Sequence, residues 1–238
     1  MSGRVAVHFT APAKPLPAGG IAVVIDVLRA TSTLTVALAA GAARVTPAAS
    51  PDEAFALARE RPQALLCGER GGLKIPGFAL GNSPFEYGAE VVAGKELIFA
   101  STNGSRAMIA ARKARRVVLA AFVNASAVLR HLVQASAMLR SVGGDAGIVI
   151  VCAGKENRFS LEDAALAGWL SAALSAHGAS LDPSAAAAAR LTPPTPAAVR
   201  TLVEGCPHAR ELRALGPAHA ADIAFCATVD SVDRAFEV

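Results

Sequence analysis

The stretch VVIDVLRATST, Val23 to Thr33, decides how the rest of the chain is read. Val23 to Ile25 continue an apolar run begun at Ile21, the pattern of a strand covered on both faces. The hydroxyls of Thr31, Ser32 and Thr33 then suit the opening of a helix, expected from about Ser32 to Ala40 and stopped by Gly41. Between strand and helix stand Asp26 and Arg29, charges that a buried strand cannot carry without partners. The strand therefore ends here, and its carboxyl end faces something polar.

The same unit recurs along the chain: an apolar run, a polar or glycine-rich turn, an Ala/Leu-rich segment. Strands are expected at 21–25, 43–47, 64–67, 96–100, 117–122 and 147–151. Ser50-Pro51-Asp52-Glu53 reads as a capping box with proline at the first helical position, and Ser83 to Glu86 repeats that form. Ser160 opens a helix to about Ala173. Strands alternating with helices predict an α/β fold, three layers α/β/α around a largely parallel or mixed sheet. Residues 1–238 read as a single domain with a helical appendage from about 185. There an Ala-rich run, the Pro-rich 192–196 stretch, a helix begun by Thr195 and Pro196, and another over His208 to Leu215 follow one another.

Parallel strands carry ligands outside their carboxyl ends. Five strand ends bear polar clusters: Asp26 and Arg29; Glu69 and Arg70 within CGERGG; Ser101, Thr102 and Asn103; Asn124; and Cys152 to Arg158. Parallel connections bring all five to one edge, and that convergence is the main argument for a site.

Each cluster carries a functional and a structural alternative. A carboxylate at position 26 can hold magnesium and an arginine fork matches phosphate, or the two form an ion pair that closes the sheet edge. The STNGS loop, 101–105, can cradle an anion or simply cap a helix. A haloacid-dehalogenase type of phosphatase needs a second Asp where Leu28 stands. Cys152 and Arg158 have the Cys-x5-Arg spacing of cysteine phosphatases, but Glu156 between them opposes an incoming phosphate. Glu162 and Asp163 in the first turn of their helix suit its dipole or a metal. The five histidines are scattered with no ligand spacing, and GlyxGlyxxGly is absent.

Composition excludes other classes. The net charge is +4, and the one short basic run, Arg112 to Arg116, suits a solvated helix end, so no nucleic-acid partner is expected. The apolar runs are strand-length or interrupted, so no membrane span is expected. Four widely spaced cysteines read as free thiols in a reducing compartment, and no N-terminal signal is seen. A cytoplasmic location follows as the expectation. Ala-rich helix faces suit a core or a homo-oligomer contact alike.

Four motifs taken in order, DVLRATST (26–33), GERG (68–71) with GFALGNSPFE (77–86), STNGS (101–105) and CAGKENRFSLEDAALAG (152–168), resemble the 2-phosphosulfolactate phosphatases over about residues 20 to 170. The resemblance implies a three-layer fold, magnesium dependence and hydrolysis of the phosphate ester of a 2-hydroxy acid. In the best-known members the product is 3-sulfolactate, on the route to coenzyme M. On that basis Asp26 is the first choice as metal ligand or nucleophile and Glu69 the second ligand, with Glu162 and Asp163 in reserve. Arg29, Arg70 and Arg158 would bind the substrate's anionic groups, and Ser101, Thr102, Asn103 and Asn124 would donate hydrogen bonds. Three rivals stand beside it: a cysteine-dependent phosphatase using Cys152 and Arg158, a non-catalytic binder of phosphate esters, and a purely structural α/β module.

Overall fold

The computed structural model describes residues 3–238. Its elements run β1 (Arg4–His8), β2 (Ile21–Ile25), α1 (Ala30–Ala39), β3 (Arg44–Ala48), α2 (Pro51–Glu60), β4 (Leu65–Arg70) and β5 (Leu73–Lys74). After a 3-10 turn at Pro84–Glu86 come α3 (Ala89–Val92), β6 (Glu96–Ala100), α4 (Gly104–Ala111) and β7 (Arg116–Ala120). A second such turn at Phe122–Asn124 leads into α5 (Ala125–Ser141), β8 (Ile148–Cys152), α6 (Leu161–Ala176) and β9 (Ser180–Leu181). The chain closes with α7 (Pro183–Ala189), α8 (Pro196–Gly205), α9 (Pro207–Ala214), α10 (Pro217–Cys226) and β10 (Phe236–Glu237).

The fold is α/β with mixed sheets, as the alternating pattern predicts, but the strands divide between two sheets. The larger has the order β10-β7-β2-β8-β1-β9, the smaller β3-β6-β4-β5. Pairing is parallel throughout except at β10 and β5, two short edge strands that run antiparallel. The two-residue strands β5, β9 and β10, and β1 before the first expected strand, are additions to the sequence-based reading.

Strand β2 shows why its apolar run is unbroken. Ile21, Val23 and Ile25 enter one core with Ile148, Ile150, Leu166 and Leu170, while Ala22 and Val24 enter another. That second core holds Leu34 of α1, Ala107 and Met108 of α4, and Leu97 and Phe99 of β6, so both sheets share it. Every side of the period-2 alternation meets apolar surface, and none is left for a polar residue. On the outer face of the smaller sheet, Ile98 and Ala100 pack with Ala54 of α2 and Phe78. Helices α8 to α10 close on the first core through Val199, Val203, Ala209, Leu212, Ile223 and Cys226, as a wall of it.

Caps follow the local chemistry. The Ser50 hydroxyl accepts the Glu53 amide at 3.1 Å, and Glu53 accepts the Ala49 amide at 2.6 Å. Thr195 caps α8 by accepting the Ala198 amide. Ser83 accepts only from Phe85, over a 3-10 turn, and Glu86 instead accepts the Gly81 amide at 2.7 Å. Registers align the carboxyl ends: Ile25 lies beside Cys152 in the larger sheet, and Gly68 beside Ala100 in the smaller. Four of the polar strand ends thus stand together, at the junction of the two sheets rather than along one.

Candidate active site

At that junction lies a cavity of about 230 Å³. Its walls include Asp26 and Arg29 after β2, Glu69, Gly71 and Gly72 around the β4–β5 turn, Thr102 and Asn103 before α4, and Lys155 and Glu156 after β8. Its far side is α9, through His208, Glu211 and Leu212, with Leu215 just beyond the helix end.

Asp26 is 6% exposed and continues β2 into the loop that starts α1. Its backbone is pinned by Thr31, whose hydroxyl donates to the Asp26 carbonyl at 2.9 Å and accepts from its amide at 3.0 Å. Oδ1 accepts the Ala30 amide at 3.3 Å, and Oδ2 carries no hydrogen bond among the described residues. Gly104 passes so close that a Cβ there would lie 2.7 Å from Oδ2 and 2.5 Å from the Ala30 Cβ. Burial pushes the Asp26 carboxyl up to about 6; His208 opposes the rise, and Glu69 and Glu162 add to it.

Glu69 is the strap between the two neighbouring loops. Oε1 accepts the Thr102 amide at 2.7 Å, and Oε2 accepts the Gly72 amide at 2.7 Å and the Thr102 hydroxyl at 3.2 Å. Asn103 Oδ1 accepts the Glu156 amide at 2.9 Å and so joins a third loop to them. That third loop is a tight turn over Lys155 to Arg158. Glu156 and Asn157 have φ of 50° and 61°, and the Arg158 amide donates to the Lys155 carbonyl at 2.8 Å. A glutamate in the left-handed region is costly, and such strain gathers at functional sites.

Of the four carboxylates predicted as metal ligands, Asp26 and Glu69 line the cavity; Glu162 and Asp163 stand behind it. Asp163 spends its oxygens on the Val27 amide at 2.9 Å and the Gly154 amide at 3.1 Å, fixing two site loops together. Burial, then Glu162 and Asp26, push its carboxyl well above the usual range. Glu162 meets His208 Nδ1 at 3.0 Å. Burial pushes Glu162 up, but the hydrogen bond and charge of His208 outweigh it and leave the carboxyl below its usual value.

The predicted arginines fare differently. Arg29 is buried against α10: Nη1 pairs with Asp222, and Nη2 donates to the Gly72 carbonyl at 2.8 Å. Asp222 also accepts the Ser83 hydroxyl at 2.6 Å. Arg70 turns away from the cavity, donating to the carbonyls of Glu69 and Ala49. Arg158 has a side chain 74% exposed and paired with Glu156. Thr102 and Asn103 line the cavity, but Ser101 is buried, exchanging hydrogen bonds with Ser105 at the start of α4. Asn124 is not among the residues that line the cavity. It accepts the Ala121 amide and donates to the carbonyls of Leu119 and Arg234, because a turn follows β7 there and its backbone needs partners.

The cysteine alternative meets a physical obstacle. Cys152 ends β8 with no exposed surface, and burial, then Asp163 and Glu162, push its thiol well above the ordinary range. A thiolate there is disfavoured, and Arg158 points elsewhere.

The residues missed from sequence are those of the C-terminal helices: His208, Glu211 and Asp222. Pro207 after Cys206 marks the start of α9 and puts His208 in its first turn. Nothing local says which wall that helix completes.

The cavity faces four carboxylates, Asp26, Glu69, Glu156 and Glu211, against Arg29, Lys155 and His208. A magnesium ion suits such a set. Among the described residues no group of three or more His, Cys, Asp or Glu could hold a metal by itself. Magnesium, however, is commonly held by one or two carboxylates with water and substrate phosphate completing its shell. Asp26 offers the free Oδ2 and Glu69 the less engaged Oε1, so the donors fit.

Comparison with known proteins gives a consistent result. A family model described as 2-phosphosulpholactate phosphatase matches residues 9–238, which takes in the C-terminal helices. A Thermotoga maritima protein named "Probable 2-phosphosulfolactate phosphatase" is 38% identical over 209 residues, 88% of this chain and 85% of its own. A Caldanaerobacter subterraneus protein of the same name is 40% identical over 214 residues, 89% and 84% of the two chains. One from Symbiobacterium thermophilum is 42% identical over 159 residues, 66% of this chain but 64% of that relative's length.

Proposed function

The chain belongs to the 2-phosphosulpholactate phosphatase family, and we propose that it hydrolyses the phosphate ester of a 2-hydroxy acid with magnesium, its substrate being 2-phosphosulfolactate and its products 3-sulfolactate and phosphate. The observation that carries this is the Oδ2 of Asp26, without a hydrogen bond among the described residues, in a cavity lined also by Glu69, Glu156 and Glu211, whose basic groups Arg29, His208 and Lys155 are already paired with Asp222, Glu162 and Glu211. A phosphate ester that also bears carboxylate and sulfonate would meet strong repulsion there. Magnesium held by Asp26 and Glu69 would remove that repulsion and neutralise charge on the transferring phosphoryl group.

The chain's own groups divide the remaining work. Asp26 supplies the oxygen free to meet metal or phosphorus. Glu69 holds the Thr102 and Gly72 amides in place, so the two loops keep their spacing around the ligand. Asp163 ties the strand end at Val27 to the loop at Gly154. Leu28, Leu212 and Leu215 give the cavity apolar walls that limit water.

The same proposal places the enzyme in the cytoplasm. All four cysteines are free and buried, and no helix of the described residues is long and apolar enough to cross a membrane. The test is a phosphate-release screen over 2-hydroxy-acid phosphates with magnesium, with EDTA, and with magnesium restored. Release from 2-phosphosulfolactate that EDTA abolishes supports the proposal. No release from any ester, or release untouched by EDTA, contradicts it.

A further inference from the structure

The basic groups in and around the cavity are not equally free. Arg29 has both terminal nitrogens engaged, with Asp222 and the Gly72 carbonyl. His208 is tied through Nδ1 to Glu162. Arg70 and Arg158 point away. Lys155 remains. It is the one lysine among the described residues that line the cavity, and its backbone is clamped in the turn whose Glu156 amide is held by Asn103. Its ammonium pairs with Glu211 of α9, and here the two partners differ: the Lys155 side chain is 21% exposed, that of Glu211 58%. A half-exposed carboxylate on a helix rim is held weakly and yields easily to a better placed anion.

We propose that Lys155 binds the acid group of the substrate that is not transferred, its carboxylate or sulfonate, and that Glu211 is the rim carboxylate this group displaces. The inference rests on the phosphatase proposal above and names the determinant of its substrate class. A strained left-handed Glu156 explains itself in this light, since the turn it permits carries Lys155 to the cavity wall. The ion pair with Glu211 keeps the ammonium in place before substrate arrives. A phosphate ester without a second acid group gains nothing from Lys155 and leaves the pair intact.

The test is steady-state kinetics of the full chain on 2-phosphosulfolactate with magnesium, together with product inhibition by inorganic phosphate. Charged hydrogen bonds of this kind correspond to about tenfold or more in affinity. Lys155→Gln should raise KM about tenfold or more, and kcat should fall far less, because the group binds ground state and transition state alike. Lys155→Arg should restore most of the KM, and Glu211→Gln should lower KM below wild type. The inhibition constant of inorganic phosphate, which lacks the second acid group, should move much less than KM. An unchanged KM in Lys155→Gln, or KM and the phosphate inhibition constant rising together, overturns this inference while leaving the phosphatase proposal standing. Failure of the wild type to hydrolyse any phosphate ester overturns both.

Discussion

Replacing Asp222 by alanine tests whether the C-terminal helices belong to the site. The Arg29 and Asp222 side chains are 4% and 2% exposed. Without the carboxylate, the guanidinium keeps only the Gly72 carbonyl, and the Ser83 hydroxyl loses its acceptor. Removing one partner of a buried ion pair costs about 3–5 kcal/mol, because the other charge stays desolvated. Domains are stable by only about 5–15 kcal/mol, so the loss is a large fraction. For a chain of this length it corresponds to a fall in Tm of about 6–20 °C. Asp222→Asn keeps the shape and an oxygen for Arg29, and should cost distinctly less. Urea denaturation of wild type and both variants, analysed at constant m-value, measures this, and kcat/KM should fall with the same ranking. A loss below about 1 kcal/mol for the alanine variant, or equal damage from asparagine and alanine, would show that the Arg29–Asp222 pair does not hold α10 to the site.

Three further outcomes follow from the same geometry. Asp26 has its carboxyl raised from an ordinary 3.8 to about 6, so its contribution to stability is full below pH 4 and is lost as pH rises through 6; in metal-free buffer at neutral pH the buried charge costs about 3 kcal/mol. Asp26→Asn should therefore stabilise the metal-free fold at pH 7.5 and progressively less towards pH 4, and a gain independent of pH, read from urea melts, would contradict this. Cys152→Ala should retain phosphate release, since the thiol is buried and does not line the cavity, whereas loss of turnover in a folded variant would revive the cysteine mechanism. Gly104→Ala would place a methyl 2.7 Å from Asp26 Oδ2, and should lower kcat/KM sharply while circular dichroism stays native; full activity would show that the Asp26 carboxylate is not where it is described.

Much of this arrangement can be read in the chain itself. The unbroken apolar runs identify the central strands, and a charge after Ile25 marks where β2 must end, because both of its faces are covered. From that, the meeting of Asp26, Glu69, Thr102, Asn103 and the loop after Cys152 follows by parallel topology. Side-chain direction does not follow. Arg29, Arg70 and Arg158 all end or follow strands at the site, yet what each faces depends on partners supplied by tertiary packing. The Arg29 partner, Asp222, lies 193 residues away. Asn124 serves its own turn for a similar reason, since a buried backbone must be satisfied before a ligand is. The division into two sheets is equally hidden, because α1 and α4 bury apolar residues between the sheets much as they would against one. The C-terminal region reads as an appendage for want of long apolar periods, and only its docking through Leu212, Ile223 and Cys226 makes His208 and Glu211 part of a wall.

A magnesium-dependent phosphatase site of the kind proposed would have Asp26 at its centre. The most direct measurement is kcat/KM for phosphate release from 2-phosphosulfolactate by wild type and Asp26→Asn, both folded and both with magnesium. The wild type should turn over, and the variant should fall by about a thousandfold or more, the scale of losing an essential transition-state contact. Comparable turnover by the two proteins would contradict it.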